Sequence, residues 1–285
     1  MAYGRNYYSD QQVFLAQQGS SVNEIKGVQS FDGSWSIPRN DILAAGYEYV
    51  GQSIEGELLG EISVNRSIIQ SSDPITGLLD SSISGYLIYG KNESFDKVFN
   101  FKTAYITSYE SSCSVGEVAS ANFSMVAYGG AGKINNESNS YTDITPEVAN
   151  ANSISITTPF GSTNAIQSYT LNLSIARTPV YKMGDMFVPS SFNLNTPIKV
   201  NTSFDFLVND YETKNLFDSI CSNSFVDNLS IELNTCSGTN IRSFTLDNSA
   251  VQDSSISAGI GSNMTATVSY ETSYSEISDL GAIFS

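Results

Sequence analysis

Along much of the chain apolar and polar residues alternate one for one, the pattern of a strand with one buried and one solvated face. Gln29, Phe31, Gly33, Trp35 and Ile37 share one face of a first strand, and Gln167, Tyr169, Leu171, Leu173 and Ile175 share one face of another. Further alternating strands are predicted over residues 62–68 and 198–208, 85–89 and 229–233, 99–109 and 241–246, and 121–128 and 264–270. About five strands in each half suit a small antiparallel sandwich or barrel. The alternation breaks at 73–81, where Asp73 and Pro74 offer an N-cap and a first helical residue, and at 210–220, which opens on an acidic turn. One short helix is predicted in each half, packed by Leu78 and Leu79 or by Leu216 and Phe217.

The two halves also resemble each other. VQSFDGSWSIPRNDI, from residue 28, matches IQSYTLNLSIARTPV, from residue 166, without a gap, and Gln29/Gln167, Ser30/Ser168, Ser36/Ser174, Ile37/Ile175 and Arg39/Arg177 are identical. The offset, 166 − 28 = 138, returns where Leu78-Leu79-Asp80-Ser81 meets Leu216-Phe217-Asp218-Ser219. Other segments align at nearby offsets, Ile62 with Ile198 (198 − 62 = 136), Phe101 with Ile241 (241 − 101 = 140) and Val126 with Val268 (268 − 126 = 142). Collinear similarity of this kind predicts a tandem duplication. The expected organisation is an N-terminal arm over 1–24, a β domain over 25–130, a linker over 131–163, a second β domain over 164–272 and a C-terminal tail over 273–285. The fold class expected is mainly β, two tandem copies of a small antiparallel sandwich or barrel, each with one short helix. Within the polar linker, Ser153 to Ile156 alternate and could add an edge strand to a neighbour.

After the first strand of each copy comes a long apolar connection, over 40–60 and 179–196. Loops longer than about 12–15 residues without structure are uncommon unless functional. Ile42, Leu43, Tyr47, Tyr49, Tyr181, Met183, Phe187 and Val188 are therefore candidates for contact with a neighbouring subunit, the alternative being a loop folded over its own core.

Charge and composition narrow the function. Thirteen Lys+Arg against 29 Asp+Glu give a net charge of −16 and a pI near 4.2, which opposes adhesion to a phosphate backbone. With no histidine, the chain by itself builds no Ser-His-Asp triad, Cys₂His₂ zinc site or histidine-ligated haem. Charged residues are only 15%, below the roughly 25% of ordinary globular chains, and Ser, Thr, Asn and Gly fill the difference. Carboxylate pairs such as Glu55/Glu57 and Asp41/Glu48 follow from the acidic composition, and Gly129-Gly130-Ala131-Gly132-Lys133 lacks the spacing of a phosphate loop. Neither catalytic residues nor a cofactor or metal site is expected. Cys113, Cys221 and Cys236 are odd in number and form no C-x-x-C; reduced thiols are the leading expectation, a Cys221–Cys236 bridge the other. No apolar block has the length of a signal or a membrane span, so the chain is expected to be made and kept without export.

The duplicated strand VQSFDGSWSI and IQSYTLNLSI, the helices expected at Leu78 and Leu216, and the long loops after Asn40 and Pro179 resemble the tail tube proteins of long-tailed bacteriophages and the inner tubes of contractile injection systems. The resemblance implies a structural virion protein made in the host cytoplasm. Its domains would form six-fold rings whose inner strands close a β-barrel around the DNA channel, with loops reaching the adjacent ring. A duplicated chain would need three copies per ring, and its partners would be itself, other tail proteins and DNA passing an acidic lumen without specific binding. Another virion ring or decoration component, such as a tail terminator, baseplate or head protein, is the alternative within that class. A carbohydrate-binding β-sandwich is the alternative outside it, requiring exposed aromatic platforms; Trp35, on an alternating face, is expected in the core.

Overall fold

A computed structural model describes residues 11–17, 22–42, 52–55, 57, 59–69, 75, 86–92, 97–129, 131–133, 147–158, 161–162, 166–184, 188–207, 226–258 and 264–284. The protein is mainly β. In chain order the strands are β1 (Gln11–Gln17), β2 (Val22–Ile25), β3 (Val28–Ser36), β4 (Arg39–Ile42), β5 (Gln52–Glu55), β6 (Leu59–Ser67), β7 (Tyr86–Asn92), β8 (Lys97–Ser114), β9 (Ser120–Ala127) and β10 (Ala131–Lys133). They continue with β11 (Ala149–Thr158), β12 (Gly161–Ser162), β13 (Ile166–Ser174), β14 (Arg177–Val180), β15 (Ser191–Leu194), β16 (Ile198–Leu207), β17 (Val226–Thr235), β18 (Asn240–Ser257) and β19 (Thr265–Tyr274). Fifteen belong to one antiparallel sheet, while β4–β5 and β14–β15 are separate hairpins. Both predicted helices fall outside the described residues except Ile75, which is buried; among the described residues the helical element is a 3₁₀ segment, Ile277–Ala282.

Strand pairing runs through the same order twice. The first series is β2-β1-β7-β8-β9-β6-β3 and the second is β12-β11-β17-β18-β19-β16-β13. Phe31 pairs with Val64 where Tyr169 pairs with Phe204, so the offset is 169 − 31 = 138 on one strand and 204 − 64 = 140 on the other. Val64 then pairs with Phe123 where Phe204 pairs with Val268, an offset of 268 − 123 = 145 that Tyr109 and Ser254 continue. The register therefore replaces three sequence alignments, since the offset of 145 along β8 and β18 also sets Phe101 against Leu246 and not Ile241. Ile62 corresponds to Thr202 and not to Ile198, and Phe123, not Val126, corresponds to Val268.

The long strands β8 and β18, 18 residues each, change partners midway. β8 pairs first with β7 and then with β9, and β18 first with β17 and then with β19. Both turn the corner with a non-glycine residue at positive φ, Thr103 at 55° and Asn248 at 56°. Both then carry an extra residue, Thr107 between Ile106 and Ser108, and Gln252 between Val251 and Asp253. A bulge bends the bulged strand and increases its twist. At Thr103 the corner is held by main-chain bonds, Tyr128 N–H donating to the Thr103 carbonyl at 3.1 Å and Gly129 N–H to that of Lys102 at 3.1 Å.

This bend folds the sheet onto itself. Phe101, on the first half of β8, lies over β3 and β6: a Cβ added at Gly33 would stand 2.7 Å from its Cζ, and one at Gly60 would stand 3.1 Å from its Cδ1. One face of the folded sheet is apolar and buried, with Ile62, Val64, Phe123, Tyr109, Leu171, Leu173, Phe204, Val268 and Tyr270 all at or below 2% exposure. Burial of that apolar area drives the fold at roughly 25 cal/mol per Å². The C-terminal 3₁₀ segment closes one side of the core. Phe284 meets Tyr109 edge-on at 5.3 Å and Phe244 at 5.7 Å, so it touches strands of both series.

Candidate assembly interfaces

The two series meet at one seam. β13 pairs with the second half of β8, Ser168 opposite Ser114 through Ser174 opposite Ser108. The result is a continuous run of eight strands, β3-β6-β9-β8-β13-β16-β19-β18. Its core face carries the residues just named. Its other face is almost entirely small and polar because the intervening positions are Ser, Thr and Asn. One row crossing the seam reads Asn65, Asn122, Glu110, Asn172, Asn201 and Glu271.

The acids on this polar face are Asp32, Glu61, Glu110, Asp205, Asp253 and Glu271, and its cation among the described residues is Lys199, 3.0 Å from Glu271. Asp205 is held by hydroxyls on both sides, Ser168 donating to Oδ2 at 2.5 Å and Thr267 to Oδ1 at 2.6 Å. The matching position in the first series is Asn65.

An aromatic cluster fastens the seam at the end where β14 follows β13. Phe192 on β15 stacks at a tilt on Tyr105 (4.3 Å) and Tyr128 (4.9 Å) of the first series. Arg177 lies 5.3 Å from the Tyr105 ring and donates to the Ile106 carbonyl. Burial pushes both tyrosine hydroxyls above their ordinary value, with the Arg177 charge opposing the shift in each and Glu57 reinforcing it at Tyr128. The Glu57 carboxyl is itself raised by burial. The alternation pattern did not bring this cluster together, because Phe192 lies within the loop expected over 179–196 while Tyr105 and Tyr128 lie on strands expected over 99–109 and 121–128.

Among the described residues the outermost strands of the eight have open sides. Among the described residues β3 pairs with β6, and the second half of β18 with β19. Trp35, expected in the core, is 53% exposed because it occupies the core-side face of this terminal strand. Its counterpart Leu173, one seam inward, is 1% exposed. Ile256 on β18 is exposed for the same reason.

The connections expected to reach a neighbouring subunit are hairpins. β4–β5 pairs Arg39 with Glu55 through Ile42 with Gln52, and β14–β15 pairs Arg177 with Leu194 through Val180 with Ser191. Met183 projects fully into solvent at the second tip, Val188 is exposed and Tyr181 is half-buried. Ile42 ends β4, its side chain outside what is described; Leu43, Tyr47, Tyr49 and Phe187 lie outside the described residues altogether. The chain matches no family model and none of the curated proteins.

Proposed function

We propose that the chain is a tandem pair of one β-sandwich domain and that three copies close a ring, which stacks into a tube of the kind found in phage tails and injection systems. The observation that carries this reading is the seam between β8 and β13. The open sides of β3 and β18 are the same two surfaces, one repeat outward, so the protein already contains a worked example of the contact it would make with its neighbour. Translating the seam by the offsets above puts Asp32 opposite Ser257, Gly33 opposite Ile256, Ser34 opposite Ser255 and Trp35 opposite Ser254. In the seam itself Leu171 faces Ser111 and Leu173 faces Tyr109. As Leu171 meets the small Ser111 in the seam, large faces small at both pairs of the new contact, Ile256 over Gly33 and Trp35 over Ser254, which is the complementarity close packing needs. Pairing also removes two exposed sheet edges, a standing aggregation hazard.

Ring size follows from strand number. Strands lie about 4.8 Å apart, so three chains of eight strands have a circumference of about 115 Å and a diameter of about 37 Å before tilt widens it. That leaves a channel wider than a DNA duplex; two chains do not. The polar face would line it, with small side chains and an excess of carboxylates that repel phosphate and let DNA slide. The aromatic cluster has no counterpart at the open sides, where the matching residues are Arg39, Ser53, Ala250 and Ser273. The contact between chains would therefore be weaker than the seam within one, and rings would form from folded chains.

Electron microscopy of the purified protein at high concentration, with mass measurement of isolated rings, tests the reading. Rings or tubes of three chains are expected; dispersed monomers under every condition, or six chains per ring, would contradict it. The exposure of Trp35 favours one other reading, a carbohydrate-binding module with that ring as its platform. In that case sugars, and not self-association, would shield Trp35 from acrylamide quenching.

A further inference from the structure

Beyond the strand ladder, the seam makes two further bonds at the bulge of β8. The Thr107 carbonyl accepts from the Ile175 N–H at 2.8 Å, and the carbonyl before it, that of Ile106, accepts from the guanidinium of Arg177. Both halves of this arrangement recur at the open sides, one on each. β18 carries its extra residue, Gln252, directly after Val251, as β8 carries Thr107 after Ile106, and Asn248 precedes the one bulge by the same four residues as Thr103 precedes the other. On the opposite side Ile37 and Arg39 match Ile175 and Arg177, identical in type and at the offset of 138. β4 opens on Arg39 as β14 opens on Arg177, and the hairpins pair at matching positions, Arg39 with Glu55 and Arg177 with Leu194. The covering differs. Ile175 is fully buried and Arg177 half-buried, whereas Ile37 is half-buried and Arg39 exposed.

We propose that Arg39 is the residue by which one copy of the chain recognises the next, its guanidinium donating to the Val251 carbonyl at the bulge of the neighbour's β18, beside an Ile37 N–H bonded to the Gln252 carbonyl. The proposal rests on the ring reading and deepens it, because paired edges alone leave the register open. A main-chain ladder takes no account of side chains, and register is weakly specified where strands are small and polar, as β18 is over Ser254, Ser255 and Ser257. A side chain that reaches one particular carbonyl removes that freedom, since a slip carries Arg39 away from the bulge. The guanidinium suits the task, being planar, many-donored and more weakly hydrated than an ammonium. Of the seam's aromatic cluster, the open sides keep the cation alone: Ala250, Ser273 and Ser53 stand for Tyr105, Tyr128 and Phe192, while Arg39 stands for Arg177. The bond to the carbonyl is thus the part of the cluster that both contacts share.

The test uses full-length chains, with thermal melts of dilute monomer and native mass spectrometry of ring formation over a concentration series. Arg39→Ala should melt with the parent, because the residue is exposed, while Arg177→Ala, which removes the same bond from the seam, should melt lower. A hydrogen bond made by a charged group is worth about a tenfold or larger factor in an equilibrium constant, so Arg39→Ala should raise the concentration of half-assembly at least about tenfold. A second variant reads placement. Ala250→Tyr offers Arg39 the ring that Tyr105 offers Arg177, so it should tighten assembly a few-fold in the parent background and not in Arg39→Ala. Rings from Arg39→Ala at the parent's concentrations, a lowered melt for that variant, or an Ala250→Tyr effect that is the same with and without Arg39 would each overturn the role of Arg39 while leaving the ring reading intact. Parent chains that form no ring would overturn both.

Discussion

Replacing Gly33 with Ala should destabilise the folded chain, and the sign is informative. At a strand position with ordinary backbone angles and open space, Gly→Ala stabilises by about 0.4–1 kcal/mol because the unfolded chain loses freedom. Here the new methyl would stand 2.7 Å from Cζ and 2.8 Å from Cε2 of Phe101. The ring has no easy retreat, since it is fully buried and its other edge is close enough to Gly60 that a Cβ there would stand 3.1 Å from its Cδ1. Overpacking of this kind costs about 1–3 kcal/mol, so a net loss of about 1–2 kcal/mol is expected. At about 2–4 °C per kcal/mol for a chain of this size, the melting temperature falls by several degrees. Phe101→Leu removes the two clashing atoms, so Gly33→Ala made in that background should be neutral or stabilising, with a coupling above about 0.5 kcal/mol. Chemical denaturation of monomeric protein at low concentration gives all four stabilities. A stabilising Gly33→Ala in the parent, or strictly additive effects, would refute the folding of β8 over β3.

Asp205→Ala should cost about 1–3 kcal/mol by stranding the hydroxyls of Ser168 and Thr267, whereas Asp205→Asn, which installs the residue of the matching position, should retain most of the stability; urea melts distinguish them. Phe192→Ala and Tyr105→Ala should show a favourable coupling of about 0.5–1.5 kcal/mol in a double-mutant cycle, and additivity would dissolve the cluster at the seam. Burial, reinforced by Glu117, pushes the Cys113 thiol from 9.0 up to about 11. At pH 8 the thiolate is then about one part in a thousand, and peptide mass spectrometry should find Cys113 alkylated far more slowly than in unfolded protein. The linked stability is intact below pH 9, where neither state is ionised, and declines as pH rises from about 9 towards about 11. Alkylation at the unfolded rate would contradict the burial.

The strands with a buried and a solvated face were legible because each pairs two neighbours and packs one side. β6, β9, β16 and β19 follow the alternation closely. The corner strands were only half legible: β18 was expected over 241–246 but continues to Ser257. Asn248 at positive φ and the extra Gln252 each reset which residues face the core, and the Ser-rich end of an open strand carries little apolar signal. The similarity alignment slipped by three residues at β9 and β19 because Val126-Ala127-Tyr128 and Val268-Ser269-Tyr270 read alike, although Val268 faces the core and Val126 the opposite side. Trp35 was misplaced because alternation reports a face and not whether anything covers it. β11 was legible only as the short run from Ser153 to Ile156, since most of its ten residues are small. The charge on the polar face could be counted but not located, because a run of Ser and Thr reads alike in a strand and a linker.

The most direct test of the ring is a designed cross-link. In chains whose native cysteines are replaced by Ala, Ser34→Cys and Ser255→Cys should lie opposite each other across the contact between chains, as Asn172 and Glu110 do within one. Asn172→Cys with Glu110→Cys should oxidise within a single chain and serves as the control. Oxidised Ser34→Cys/Ser255→Cys protein should yield a covalent trimer in which every cysteine is consumed, read by denaturing mass spectrometry. A ladder that closes at six chains, or efficient cross-linking only at a shifted register, would contradict the translation of the seam. Monomers that stay uncross-linked while the control oxidises would contradict the ring itself.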